Sequence, residues 1–182
     1  FAANEVRSLA RECDEKAEIG SEVLAHAHEL GLVANALPEA FGGGGERSAL
    51  TACLIAEELA WGDLSIALAI LSPSLIALPV MDFGTDEQQK EWLPRFADTR
   101  FVSGSLALTE PCFGSDPFRP TLSARRDGAD FVLDGAKCFV PLEGSDGAVL
   151  VFAQEEGGPQ GFFVPRDAAG LTATRERNLG IQ

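Results

Sequence analysis

The sequence is poor in basic residues. Lys and Arg together number 14 of 182 residues, against 28 Asp and Glu, for a formal net charge of −14. A chain that holds nucleic acid through its phosphates needs the opposite sign, so that class is excluded. The acidic excess reads as a solvated helical surface. Histidine is nearly absent. His26 and His28 stand two apart on a predicted helix, where they point to different faces and cannot share a metal. Cys13, Cys53, Cys112 and Cys138 form no CxxC pair, so no zinc site is expected, and no metal site of any kind. Four scattered cysteines also make a poor disulfide framework, which points to a reducing compartment. There is one methionine, Met81; the chain opens on Phe1 and closes on Gly180, Ile181 and Gln182, which reads as part of something longer. No signal peptide, internal repeat or low-complexity tract stands out. Charge is missing over residues 64–81, but Pro73, Pro79, Ser65, Ser72 and Ser74 interrupt the run. Two short buried helices are expected there rather than a membrane span.

What is present is a core-forming composition, 46% hydrophobic and 23% charged. The length suits one large domain or two small ones. Residues 5–19 and 21–30 are rich in helix formers, with Val23, Leu24, Ala27 and Leu30 on one face and Gly31 closing the second helix. The glycines at 42–45 require a loop. A third helix is predicted from about Ser48 to Trp61, with Leu50, Cys53, Leu54 and Trp61 on one side. Asp63 caps a fourth. Ser72 caps a fifth, with Pro73 in its first turn and Gly84 at its end. Thr85 to Gln88 is a capping box opening a sixth. Beyond Arg100 the pattern changes to short strands, at 101–109, 121–126, 130–134, 136–140, 148–153, 162–164 and 171–175. Asp127 and Gly128 mark a hairpin turn. The expected fold class is α+β: an all-α domain over residues 1–100, then an antiparallel β-barrel-like or sandwich domain over 101–182.

The chemistry lies between these halves. Residues 106–116 read Leu-Ala-Leu-Thr-Glu-Pro-Cys-Phe-Gly-Ser-Asp. A strand end delivers the Thr109 hydroxyl, and a tight turn then delivers Ser115 and several backbone N–H groups. Such a loop suits an acceptor-rich ligand such as a flavin. By residue type alone it is equally a plain turn.

The run L-T-E-P-x-x-G-S-D at 108–116 resembles the flavin-binding signature of the acyl-CoA dehydrogenase family. Other segments resemble that family in the same order. They are Leu30-Gly31-Leu32 with Pro38 to Gly43, then 56–60 (Ala-Glu-Glu-Leu-Ala), 83–90 (Phe-Gly-Thr-Asp-Glu-Gln-Gln-Lys) and 133–137 (Leu-Asp-Gly-Ala-Lys). The resemblance implies FAD as cofactor, held by Leu106, Leu108, Thr109, Gly114, Ser115, Phe139, Val140 and Pro141. Leu108 and Thr109 would meet the pyrimidine ring, where a donor stabilises negative charge on reduced flavin. Gly114 and Ser115 would approach the pyrophosphate, and Ser115 also the acyl-CoA substrate. Phe139 would lie against the flavin ring.

The implied reaction is α,β-dehydrogenation of an acyl-CoA thioester, with hydride transfer to flavin N5. Electrons would pass to an electron-transfer flavoprotein. The implied assembly is a homodimer or homotetramer, or a heteromer with a homologous subunit. The implied compartment is the bacterial cytoplasm, or the mitochondrial matrix of a eukaryote. The family's carboxylate base belongs to a C-terminal helical bundle that this chain does not include, so no catalytic residue is assigned here. Two departures stand out. Pro141 and Leu142 replace a Thr and an amide residue, and Pro141 offers no donor. Cys112 and Phe113 replace small residues. These motivate two alternatives: a flavin-poor, non-catalytic subunit, or a flavin monooxygenase of the same fold.

Overall fold

The computed structural model describes residues 1–141 and 148–176. The described residues form two compact units, one over Phe1–Ser103 together with residues 174–176, the other over Gly104–Ala173.

The first unit is helical. A π turn at Ala2–Val6 leads into α1 (Arg7–Lys16), followed by α2 (Ser21–Glu29), α3 (Ala49–Gly62), α4 (Leu64–Leu71), α5 (Ser74–Phe83) and α6 (Asp86–Trp92). Local chemistry sets several of the ends. Ser48 accepts from Thr51 N–H at the start of α3, and Asp63 accepts from Ile66 N–H at 2.8 Å at the start of α4. Thr85 and Gln88 form the reciprocal box that opens α6. Gly31 takes a left-handed φ of +69° just past α2.

One predicted cap fails. Ser72 is helical and buried, and α5 begins two residues later at Ser74. Ser72 and Pro73 both keep helical dihedrals between α4 and α5, and the missing proline N–H interrupts the hydrogen-bond ladder there. Pro79 is carried inside α5 instead of dividing it. Leu64–Phe83 is long and apolar enough to cross a membrane by length and composition, and 44% of its most apolar window is buried within the unit. The buried side chains of α4 and α5 include Ile66, Ile70, Ile76 and Val80. Each such burial contributes roughly 1.5–3 kcal/mol. Val6, Val23, Ala27 and Leu59 share a core with Ile66 and Ile70.

The predicted apolar side of α3 faces outward. Leu50, Leu54 and Trp61 are exposed, while Leu59 and Gly62 are buried. A Cβ on Gly62 would meet Val6 Cγ1 at 2.8 Å, so close approach decides the inward face. Trp61 instead lies under the Arg7 guanidinium, and Trp92 is buried.

The second unit is a five-stranded sheet of β1 (Leu106–Ala107), β2 (Ser123–Asp127), β3 (Asp130–Asp134), β4 (Ala148–Glu155) and β5 (Gly158–Pro165). The apolar β4 is central. It pairs antiparallel with β5 along its whole length, and parallel with β1 at Leu150 and Val151 and with β2 at Gln154. The sheet is therefore mixed, where antiparallel pairing alone was expected. The long connections from β1 and β2 to β4 permit parallel entry, which a two-residue turn forbids. The Asp127–Gly128 hairpin forms as predicted, with Gly128 at φ +65°. Ala107, Leu122, Ala124, Val149, Val151 and Ala153 form the core, with the tilted rings of Phe131 and Phe162 5.0 Å apart beside it.

Three predicted strands are reduced. The 101–109 stretch pairs only at Leu106 and Ala107, and 136–140 and 171–175 form no strand. At 136–140 Phe139 adopts φ +54°, which no β ladder accommodates.

Candidate functional site

The sheet unit brings three separated segments together: the end of β1 with residues 108–116, the entry to β2 at 121–122, and residues 137–141 after β3. Their junction is a buried ion pair. Lys137 Nζ donates to Glu110 Oε1 at 2.9 Å and to the Leu108 carbonyl at 3.0 Å. The two side chains are only 5% and 3% exposed. Glu110 accepts three further bonds, from Leu122 N–H at 2.8 Å and from Thr121 N–H and Oγ1–H, both at 2.7 Å. Cys138 N–H donates to the Thr109 carbonyl at 2.9 Å, extending the seam by one residue. Ser115 Oγ accepts from Glu110 N–H at 3.1 Å, which folds the loop back on its own start.

Gly135 closes the knot from β3. A Cβ there would meet Leu122 Cα at 2.8 Å, and its φ of +147° independently favours glycine. Burial alone would push the Glu110 carboxyl up. The Leu122 and Thr121 amides, the Lys137 ammonium and the Thr121 hydroxyl outweigh it and hold the group down to about 2. Glu110 is thus an ionised carboxylate whose acceptor sites are taken up inside the protein. It is not placed to accept a proton from a ligand.

The predicted cofactor residues fall around this knot. Leu106 pairs with Leu150 in the sheet. Leu108 is half-buried and Thr109 is exposed at the strand end. Gly114 sits at the exposed loop tip with φ +72° and open space where a Cβ would stand. Ser115 is half-buried; its oxygen holds the loop, and its O–H remains a donor. Phe139 is 66% exposed. Val140 packs on the sheet core, so what it can offer a ligand is backbone. Pro141 is exposed, Phe113 and Cys112 stand in solvent, and Leu142 lies outside the described residues.

The seam therefore joins Leu108, Thr109 and Ser115 to the residues immediately before Phe139. The loop tip adds chemistry. The N–H groups of Phe113 and Gly114 have no hydrogen-bond partner among the described residues. Open donors on a left-handed turn suit an anionic group such as a pyrophosphate. Lys137 is spent on Glu110 and Leu108, so anion binding there would rest on backbone donors. A flavin dinucleotide thus fits the donor set at the tip and the exposed aromatic at Phe139.

Sequence reasoning missed the knot itself. Glu110 and Lys137 were visible only as motif letters. One signal was available: Lys137 is the only lysine after residue 100. The helical unit carries a separate small apolar hollow between Ala27, His28, Ile70, Pro73, Phe96 and Phe101. Its His28 Nε2 is spent on the Asp98 carbonyl, and His26 Nδ1 meets Glu5 at 2.7 Å. The two histidines thus serve different partners.

Fold and site together define a helical unit followed by a mixed-sheet unit whose strand-end loop is built to present backbone donors. Family models described as the acyl-CoA dehydrogenase N-terminal domain and the acyl-CoA dehydrogenase middle domain match residues 1–100 and 105–182. The chain belongs to the acyl-CoA dehydrogenase family. Acyl-CoA dehydrogenase FadE12 of Mycobacterium tuberculosis is 38% identical over 165 residues, 87% of this chain and 42% of that protein. The mitochondrial short-chain specific acyl-CoA dehydrogenase of Bos taurus is 32% identical, over 100% of this chain and 45% of its own length. The solved glutaryl-CoA dehydrogenase of Mycobacterium smegmatis in complex with FADH2 superposes with a TM-score of 0.84 at 32% identity, over 97% of this chain and 45% of that one. The chain spans less than half the length of these relatives.

Proposed function

We propose that the whole protein is an FAD-dependent acyl-CoA dehydrogenase, and that this chain supplies its helical domain (1–100) and the flavin-contacting part of its sheet domain (101–182). The observation that carries the reading is the strand-end loop 108–116, locked to residues 137–138, with open N–H groups at Phe113 and Gly114. The FADH2 complex of the Mycobacterium smegmatis relative supports the choice of cofactor.

In this reading Leu106, Leu108 and Thr109 hold one edge of the flavin, with the Thr109 hydroxyl as a donor. Gly114 and Ser115 hold the pyrophosphate, and Ser115 also meets the acyl-CoA. Phe139 covers the ring, with Val140 and Pro141 following along it. When bound, FAD supplies the acceptor for a hydride leaving the β-carbon of the thioester. The residues of this chain bind and orient; the α-proton goes to a carboxylate that is not Glu110, because Glu110 is buried, its oxygens are taken up by donors of the protein, and those donors make it a poor base. Electron-transfer flavoprotein is the proposed acceptor of the electrons, and a homodimer or homotetramer the proposed assembly. A mycobacterial and a mitochondrial relative support a setting in the bacterial cytoplasm or the mitochondrial matrix.

Pro141 favours a second reading. It places no donor where the family has a hydroxyl, as a flavin-poor subunit of a heteromer would tolerate. One preparation separates the readings. The whole protein should purify with flavin absorbance, and an acyl-CoA series should bleach it anaerobically. Flavin that binds but is not bleached, with a flavin-bearing homologue co-purifying, favours the non-catalytic subunit. Rapid oxygen reaction of the reduced protein favours a monooxygenase. Absence of FAD binding refutes the flavin assignment.

A further inference from the structure

We infer that the Glu110–Lys137 pair is a positioning device that holds the two flavin-contacting segments, 108–115 and 139–141, at one fixed offset. This rests on the flavin reading above and goes beyond it, assigning a role to two residues that touch no ligand in that reading.

Three features carry the inference. First, the pair lies at the seam itself. Lys137 bonds the Leu108 carbonyl directly, and the next residue, Cys138, bonds the Thr109 carbonyl. The chain then reaches Phe139, which takes a left-handed φ of +54° despite its Cβ. A residue keeps that conformation only where its neighbours over-determine it. Lys137 and Cys138 fix the chain immediately before it, and Val140 is fixed after it by the sheet core.

Second, Glu110 ties the seam to the sheet. Its carboxylate takes the Thr121 and Leu122 amides at the entry to β2, so the loop inherits the position of the strand. Third, a buried ion pair is a weak device for stability, because apolar groups of similar size do as well. What it adds is direction. Lys137 selects a carbonyl and Glu110 selects amides, and apolar side chains do neither.

The test uses the whole protein, wild type beside Glu110→Gln and the neutral pair Glu110→Gln/Lys137→Met. FAD affinity is read by fluorescence quenching, bound flavin by its visible spectrum, and stability by melting of the apoprotein. The single variant strands a buried ammonium and should lose both stability and FAD. The double variant should melt near the wild type. Its FAD affinity should still fall roughly tenfold or more, with an altered flavin band, because the offset between the segments is no longer set. A double variant that recovers both wild-type melting and wild-type FAD affinity overturns the inference and leaves the flavin reading intact. So does a double variant that fails to fold, since the pair is then part of the fold's own stability. Wild-type protein that binds no FAD overturns the flavin reading, and this inference with it.

Discussion

Acid should loosen the sheet unit through protonation of Glu110. In the folded chain Glu110 is held near 2 against an ordinary value of 4.5. A carboxyl depressed by folding contributes stability above its unfolded value, and that stability drains away as pH falls toward the folded value. The gap corresponds to about 3 kcal/mol at neutral pH. The Glu110 side chain is 3% exposed, so solvent screening removes little of it. The contribution is complete above about pH 6; about 1.4 kcal/mol is gone by about pH 3.5 and about 2.6 kcal/mol by about pH 2.5. Protonation also leaves the Lys137 ammonium buried with only the Leu108 carbonyl, which deepens the loss. Fluorescence is the wrong probe, because Trp61 and Trp92 both lie in the helical unit. Amide exchange along β4 reads the sheet directly, since its strands open together. Other carboxylates titrate in the same window, so the quantity to follow is the difference between wild type and the neutral Glu110→Gln/Lys137→Met pair. Wild type, level with that variant at neutral pH, should fall steadily below it in stability under about pH 4.5. A difference that stays flat down to about pH 3 refutes the assignment of Glu110 as a buried anion in the folded state.

Two substitutions test other parts of the same unit. Pro141→Thr in the whole protein restores a hydroxyl where the family carries one; stopped-flow flavin reduction by acyl-CoA should speed up, and an unchanged rate with normal FAD content shows that the missing donor does not limit the chemistry. Ser105 is fully buried and its hydroxyl has no partner among the described residues, so Ser105→Ala should stabilise the sheet unit by about 1 kcal/mol in β4 exchange protection; a loss of protection would mean that the hydroxyl is satisfied in solution.

What was legible in the sequence was what short-range chemistry decides. The Asp63 cap, the Thr85–Gln88 box, the turn at Gly31 and the hairpin at Gly128 each depend on residues within a few positions, and each stands as predicted. Ser72 had the right type for a cap and failed, because a cap needs an extended backbone and Ser72 is buried in a helical turn between α4 and α5. The outward apolar side of α3 failed similarly: periodicity marks a face without saying what covers it. Parallel entry of β1 and β2 onto β4 was illegible, since alternation within a strand does not encode the direction of its partner.

The candidate site divides along the same line. The loop at 106–116 could be located from its residues, because a strand end, a proline and Gly-Ser are local events. The strain at Phe139 could not, because a Phe flanked by Cys138 and Val140 reads as strand by every local preference. In our inference the position of Phe139 is set through Lys137, whose partner Glu110 lies 27 residues before it in sequence. Charged residues are read as surface by default, and that default hid the pair: a Glu in a turn and a Lys after a hairpin each look solvated when taken alone. Only when β2 brings the Thr121 and Leu122 amides against the carboxylate does burial become affordable for both charges. The residues that would touch a flavin were thus readable from one segment at a time, whereas the residue pair that aligns those segments exists only in the folded sheet.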